Sequence, residues 1–405
     1  NLHSEQLTDV EYTPDNKIVF CGSISDYGTN NRIFVGRLNS DGTPDSTFAG
    51  CGLSIMIPDL LHDSKANGIA VQEDGKILIT GKSYNSILGN YDALTIRFNP
   101  NGMIDSTFAN NGISLFNAFY YLNYSYNDKA LGLKILPDES IIVYDLIDVA
   151  GYNLTALFKI NSFGIPDSSY GDKGVFLFVS SPYGMCPKNI SLCNNSSVLL
   201  TGVVSAESKI VKITENGQLD SLFFDNGIFH LNLSSASDIG INTFLLDDNT
   251  LIVGGSINGN YDSSLFLLPV SQVGAIDSAN AVFFNPFSEY VMSTDIVMDK
   301  NNRLYFAGVS GDNKAYIFRY KTITLSITEN GSEQIRVCPN PAGDFIRVNT
   351  HQKNATYFIF DIAGKAILSG LSTNEYIHVS SLLPGYYILV LQTEGKQYRG
   401  AFVKE

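Results

Sequence analysis

Apolar residues in this chain fall in short runs or in strict alternation, and Gly, Asn, Asp or Ser interrupts them every few positions. Runs such as KIVFCG, KILITG and SVLLTG are too short for helices and are bounded by turn residues. Short runs and period-two stretches predict β-strands, and no segment sustains the 3.6-residue period of a helix. Asn-Gly and Asp-Gly pairs between the runs predict tight hairpins, because both residues tolerate positive φ.

The strand pattern repeats itself. A turn followed by an apolar strand recurs as DNKIVFCG at 15–22, DGKILITG at 74–81 and DESIIVYD at 138–145. It returns as SSVLLTG at 196–202, NTLIVGG at 249–255 and NRLYFAG at 302–308. A second half, with a strand ending in Arg or Lys, a Gly turn, Asp-Ser, an aromatic and a second Gly turn, follows. It reads RLNSDGTPDSTFAGCG at 37–52, RFNPNGMIDSTFANNG at 97–112, KINSFGIPDSSYGDKG at 159–174 and KITENGQLDSLFFDNG at 212–227. A worn copy lies at 269–284, and the sixth unit stops after AYIFRY at 315–320. Equivalent glycines, Gly42, Gly102, Gly164, Gly217 and Gly274, are 60, 62, 53 and 57 residues apart. Units of about four antiparallel strands at this spacing predict a β-propeller of about six blades over 1–320. The sixth unit lacks a fourth strand, and the segment before Leu7 is expected to supply it.

After Tyr320 the repeat is lost. Residues 321–334 are polar and read as a linker. Residues 335–405 contain about seven short alternating strands and predict a small Ig-like β-sandwich. The expected fold is therefore all-β, with a repeat propeller followed by a sandwich. The final apolar strand at 398–403 is expected both to complete the sandwich and to offer an edge for a receptor.

Composition narrows the function. Of 405 residues, 44% are apolar and 16% charged, which is enough apolar material for packed cores. The net charge is −14, and residues 333–405 carry +1 of it, so the repeats are strongly acidic. Such a body repels nucleic acid and anionic membranes. No stretch approaches the 18 or so apolar residues of a transmembrane helix. The five histidines lie outside any HExxH or ligand spacing, and GxSxG and P-loop motifs are missing, so neither a catalytic centre nor a metal or cofactor site is expected. The recurring Asp45, Asp105, Asp167, Asp220 and Asp277 lack the DxDxDG spacing of a calcium loop and are expected to cap turns. Cys186 and Cys193, seven apart, are candidates for a loop-closing disulfide, the alternative being two buried thiols. Tyrosines at 120, 121, 124, 126, 261 and 290 are either packing residues or an exposed interface.

Two resemblances add to this reading. The repeats over roughly residues 7–320 resemble the delta-60 repeat family, which implies a propeller-like fold and no single activity. The C-terminal segment resembles the type A sorting domain of the type IX secretion system through four landmarks in order. These are Val337-Cys338-Pro339-Asn340-Pro341-Ala342, Asp361-Ile362-Ala363-Gly364-Lys365, Leu383-Pro384-Gly385-Tyr386-Tyr387 and Ala401-Phe402-Val403-Lys404. Cys338 stands where that family usually has Tyr. The resemblance implies a secreted cell-surface protein that crosses the inner membrane with a signal peptide and the outer membrane through the type IX translocon. Its implied partners are the translocon with its shuttle protein and a sortase-like peptidase that cuts near the linker. The Asp-Ser-x triplets resemble the O-glycosylation acceptor sites of bacteria that use this route, with Ser46, Ser106, Ser221 and Ser278 as acceptors; otherwise these serines merely complete the turn. Three roles are open for the propeller: a non-enzymatic module that binds a surface protein or glycan, a polysaccharide hydrolase or lyase, and an accessory part of the gliding or secretion machinery.

Overall fold

The computed structural model describes residues 3–405 apart from 27–30, 57–61, 118–126, 150–151, 180–183, 194, 205–206, 232–236, 246–250, 259–262, 271–280, 285–290, 300–302, 311–313, 321–331, 336, 349–354, 362–365, 373–375 and 394–395. Among the described residues all elements are strands, and no helix there is long and apolar enough to cross a membrane. The chain divides into two compact units, Asn1–Ser205 with Lys209–Ser221, and Ala206–Ser208 with Leu222–Glu405. The boundary thus falls inside the fourth repeat.

The first unit holds three complete antiparallel sheets, each with its strands in chain order. The first is β1 (His3–Tyr12), β2 (Ile18–Asp26), β3 (Arg32–Leu38) and β4 (Leu53–Ile55). The second is β5 (His62–Val71), β6 (Ile77–Asn85), β7 (Asn90–Phe98) and β8 (Ile113–Phe116). The third is β9 (Asn127–Ile135), β10 (Ile141–Val149), β11 (Tyr152–Ile160) and β12 (Val175–Phe178). The fourth repeat supplies β13 (Cys186–Leu192), β14 (Val198–Val204), β15 (Glu207–Ile213) and β16 (Ile228–Leu231), the first two belonging to this unit and the last to the second. The first strands β1, β5, β9 and β13 lie side by side, as in successive blades.

Sheets pack face to face, and this explains the continuous apolar runs. Ile77 and Ile79 on β6 join Val19, Val35 and Phe48 in one core, whereas Leu78 between them joins Ile141, Val143 and Phe158 in the next. A strand buried on both faces has no polar alternate positions. The marker glycines Gly42, Gly102, Gly164 and Gly217 all have φ between 75° and 84°, as the repeated turn demands. Gly102 has a second reason, since a Cβ there would come within 2.9 Å of the Phe48 ring of the preceding repeat.

The structure corrects one expectation about the ring. The segment before Leu7 belongs to the first sheet, with His3 opposite Asp26 on β2, so it is not a spare strand for the sixth.

In the second unit the fifth repeat forms a four-stranded sheet of β17 (Ser237–Leu245), β18 (Leu251–Asn258), β19 (Ser263–Val270) and β20 (Val282–Phe284). The sixth forms three strands, β21 (Val291–Met298), β22 (Leu304–Ser310) and β23 (Ala315–Tyr320). The C-terminal segment forms two further sheets. One contains β25 (Val337–Cys338), β26 (Phe345–Val348) and β29 (Tyr376–His378). The other runs β24 (Ser332–Gln334), β31 (Lys396–Lys404), β30 (Gly385–Thr393), β27 (Ala355–Asp361), β28 (Ala366–Ser372) in spatial order. Val337, Ile346 and Ile377 of the small sheet share a core with Ile359, Leu389 and Phe402 of the large one.

The candidate Cys186–Cys193 disulfide is not formed in the structure, where all five cysteines are free thiols. Cys186 opens β13 and Cys193 follows its last residue. Seven residues of extended chain hold their Cα atoms ~23 Å apart, whereas a bridge needs about 7 Å or less.

Candidate functional site: the terminal strand and the repeat turns

β31 ends the chain, and its position in the sheet decides what it can do. β30 pairs with it on one side along its whole length, from Gly385 opposite Lys404 to Thr393 opposite Lys396. The other side is covered at both ends. β24 runs parallel to it, pairing Ser332–Gln334 with Gln397–Arg399. Beyond that, the Pro339-Asn340-Pro341 segment lies against residues 401–405. The Val403 N–H donates to Asn340 Oδ1 (2.9 Å), and Asn340 Nδ2 donates to the Ala401 carbonyl (3.4 Å). The Ala342 N–H donates to the Val403 carbonyl (2.7 Å) and the Glu405 N–H to the Ala342 carbonyl (3.1 Å).

The terminal strand is therefore not the free edge expected from the sequence. The physical reason lies in the prolines: they have no N–H, so the segment cannot pair as an ordinary strand, and the Asn340 side chain supplies the missing donor and acceptor. Both X-Pro peptides here, Cys338-Pro339 and Asn340-Pro341, are cis.

The other landmarks lie in the same two sheets. Val337 sits in the sandwich core. Lys404 is nearly buried, and its ammonium donates to the Glu405 carbonyl, while Val403 is exposed. Tyr386 stands opposite Val403 in the ladder and Gly385 opposite Lys404. Asp361 closes β27 opposite Tyr387; Gly364 and Lys365 lie outside the described residues. Within the Leu383–Tyr387 landmark it is Tyr387 that makes contacts, its hydroxyl donating to the Leu383 carbonyl (2.8 Å) and its ring stacking on Phe402 at 5.7 Å. It ties the Leu383–Tyr387 hairpin to the last strand. The Gly-Tyr-Tyr turn itself signals such a contact, since alternation sends only one of the pair inward.

The repeat turns are built around an aspartate. Asp45 Oδ1 accepts the Thr47 N–H (3.0 Å) and hydroxyl (2.6 Å), while Oδ2 accepts Arg37 Nε (2.7 Å) and Lys17 Nζ (2.9 Å). Asp105 repeats this with Thr107, with Arg97 Nε at 2.8 Å and with Lys76 at 3.4 Å. Asp167 accepts from the Ser169 N–H and hydroxyl, and Asp220 pairs with Lys212 at 3.0 Å. Each arginine also reaches into the next repeat. Arg37 Nη1 donates to the Pro100 carbonyl (2.5 Å), Arg97 Nη1 to that of Ser162 (2.6 Å), and their guanidinium groups lie over Phe48 and Phe108.

The Lys17 and Thr47 hydrogen bonds hold the Asp45 carboxyl well below the usual carboxylate range, against the opposing effect of burial. Burial raises the Asp105 carboxyl, but Thr107, Arg97 and Lys76 together bring it down to about 2. These carboxylates cap turns and lock repeats. Among the described residues no three or more His, Cys, Asp or Glu side chains are grouped to hold a metal ion. Ser46, Ser106 and Ser221 are exposed one residue past their aspartates. Ser278, Asp277 and the tyrosines at 120, 121, 124, 126, 261 and 290 lie outside the described residues.

Comparison with known families decides what the terminal segment is. Residues 336–405, which contain the whole Pro-Asn-Pro clamp and the strand it holds, match the family described as secretion system C-terminal sorting domain. The chain carries a type IX sorting domain. Residues 13–48 and 72–108 match the family described as domain of unknown function (DUF5122) beta-propeller, the delta-60 type of repeat. The sorting domain directs the protein through type IX secretion to the cell surface.

No curated protein matches the chain. Among solved structures it is similar to PorZ, a bacterial surface component of the type IX secretion system of Porphyromonas gingivalis. The identity is 13% over 99% of this chain, with a TM-score of 0.39, and the chain spans about half (51%) of that protein's length. A Lactobacillus plantarum protein is 12% identical over 89% of this chain and 97% of its own (TM-score 0.42). The polysaccharide lyase Uly1 is 10% identical over 78% and 77% (TM-score 0.46).

Proposed function

We propose that the repeats over 1–320 are a non-enzymatic binding module carried to the cell surface by the sorting domain at 335–405. The translocon's shuttle protein would take up the sorting domain, and a sortase-like peptidase would cut near the linker at 321–334. The observation that carries the export half is the Pro-Asn-Pro clamp on the terminal strand, inside the segment that matches the sorting family. The recognised feature is then the exposed surface formed by Pro339, Asn340, Pro341 and Val403 rather than an open strand edge.

Binding is favoured over catalysis because the recurrent carboxylates are consumed by structure. Asp45 and Asp105 are each engaged by a guanidinium, a lysine and a threonine, which leaves them neither basic nor accessible enough for acid–base work. The exposed Ser46, Ser106 and Ser221 are proposed glycan acceptors.

Mass spectrometry of the protein from wild-type cells, from medium and from a strain lacking the translocon tests the reading. We expect a wild-type product ending between residues 321 and 340, with hexose-bearing peptides around Ser46, Ser106 and Ser221, and a full-length periplasmic chain in the mutant. An intact chain reaching the surface without the translocon sinks the export role. Degradation of polysaccharide by the purified protein sinks the non-enzymatic one.

A further inference from the structure

One cluster in the first unit is unexplained by the fold. Lys65 on β5 and Lys82 on β6 are directly opposite each other in the antiparallel ladder. Such a pair places two like charges on one face and destabilises the sheet. Both side chains are half-buried, as is that of Lys129 on β9. Burial, then the charges of Lys65 and Lys129, lower the Lys82 ammonium, so the three lie within electrostatic reach of one another.

The lysines and arginines of the repeat turns are each matched to an aspartate, but among the described residues none of these three makes an ion pair. The carboxylate that acts on Lys82 is that of Asp63. It is already occupied by the Tyr91 hydroxyl and by the Asn31 backbone N–H (3.0 Å) and side-chain amide. Asp145, beside Lys129, is turned into the core and accepts the Lys129 backbone N–H rather than its ammonium.

Aromatic surface adjoins the cations. Lys82 Nζ lies 3.7 Å from the centroid of the Tyr91 ring, and Tyr84 meets Tyr91 edge-on at 5.4 Å. Tyr84 and Tyr91 form the next non-adjacent ladder pair on the same face, and Tyr84 is 38% exposed. A chain of net charge −14 has no general electrostatic reason to gather three cations here. Unneutralised ammonium groups next to tyrosine faces suit a ligand with both an anionic group and an apolar ring face.

We propose that Lys65, Lys82 and Lys129, with the Tyr84–Tyr91 pair, form a binding site for an acidic carbohydrate, the lysines taking its carboxylate or sulfate and the tyrosines its ring face. This rests on the reading of the repeats as a binding module and names its ligand class.

The test is calorimetric titration of the full chain with polygalacturonate, dextran sulfate and neutral dextran at low and high salt. Binding to one or both charged polymers is expected, weakening with salt, and undetectable for neutral dextran. The polymer preferred tells a carboxylate ligand from a sulfate one. The K65Q/K82Q double variant should bind at least about tenfold more weakly, while K188A, which removes an exposed lysine on β13, should bind normally. The double variant should also melt at a higher temperature, because the repulsion is gone; that readout separates lost binding from lost folding. Charged-polymer binding unaffected by K65Q/K82Q, or binding to neutral dextran alone, overturns the site but leaves the propeller a binding module. If neither charged nor neutral polymer binds, the ligand class is wrong, whatever protein partner the module has.

Discussion

Asp145 is wholly buried at the position where the neighbouring repeats have Gly22 and Gly81. A Cβ at Gly81 would come within 1.9 Å of the Lys65 carbonyl, so a side chain there requires a local shift of the ladder. Asp145 uses that shift, since its carboxylate accepts the Lys129 N–H at 2.7 Å beside a bulge. Burial pushes its carboxyl up to about 7. The folded state therefore holds the proton more tightly than the unfolded chain, and the resulting stabilisation is lost as pH rises from the ordinary carboxylate range to about 7. Wild-type protein should melt at a higher temperature near pH 5 than near pH 8, and Asp145→Asn should flatten that slope because the amide still accepts from Lys129. A variant with the wild-type slope would assign the titration to another group. Asp105 is the opposite case, a buried carboxylate kept charged by Arg97, with both side chains 5% exposed. Asp105→Ala leaves the guanidinium buried without its counter-ion, and urea unfolding should show a loss of about 3–5 kcal/mol.

At the scale of the strand, a β-bulge in the first strand of the repeats is a feature that no motif announced. The ladder slips between Leu7 and Asp9, between Ala66 and Gly68, between Gly240 and Asn242, and between Ser293 and Asp295. The residue at or after the bulge often crosses to the next repeat. Asp9 Oδ2 accepts the Ile69 N–H (2.9 Å), Asn67 Nδ2 donates to the Ala130 carbonyl (2.7 Å), and Asn242 Nδ2 donates to that of Ile296 (2.7 Å). These residues differ in type because the bulge is a backbone event, which is why the sequence pattern did not reveal it. The doubly buried second strands were legible for the converse reason: two apolar neighbours leave no polar option. On the terminal strand, Asn340→Ala removes the acceptor of the Val403 N–H. A lost hydrogen bond of about 1 kcal/mol should speed exchange of that amide roughly fivefold. The Leu389 amide on β30 is the internal control, and equal exchange at Val403 in both proteins would mean the clamp is held by the backbone bonds of Ala342 alone.

For the whole molecule, the cores are the guide. The two cores of the first three sheets use residues between Val19 and Val175, and the sandwich core uses residues from Ile335 to Phe402. A chain ending before residue 336 should therefore retain the hydrogen-exchange protection of β6 and β10 yet accumulate in the periplasm. Loss of protection in those strands would show that the sorting domain also supports the repeats. By itself the sequence determined the strand class, the repeat spacing, the turn glycines and the sorting landmarks, because each depends on local periodicity or on φ at a single residue. The state of the terminal strand, the separation of Cys186 from Cys193, the place of the segment before Leu7 and the meeting of Lys65 with Lys82 were decided by tertiary structure. Each is a matter of which distant backbone lies alongside, and that is fixed by packing and ladder register rather than by the identity of neighbours in the chain.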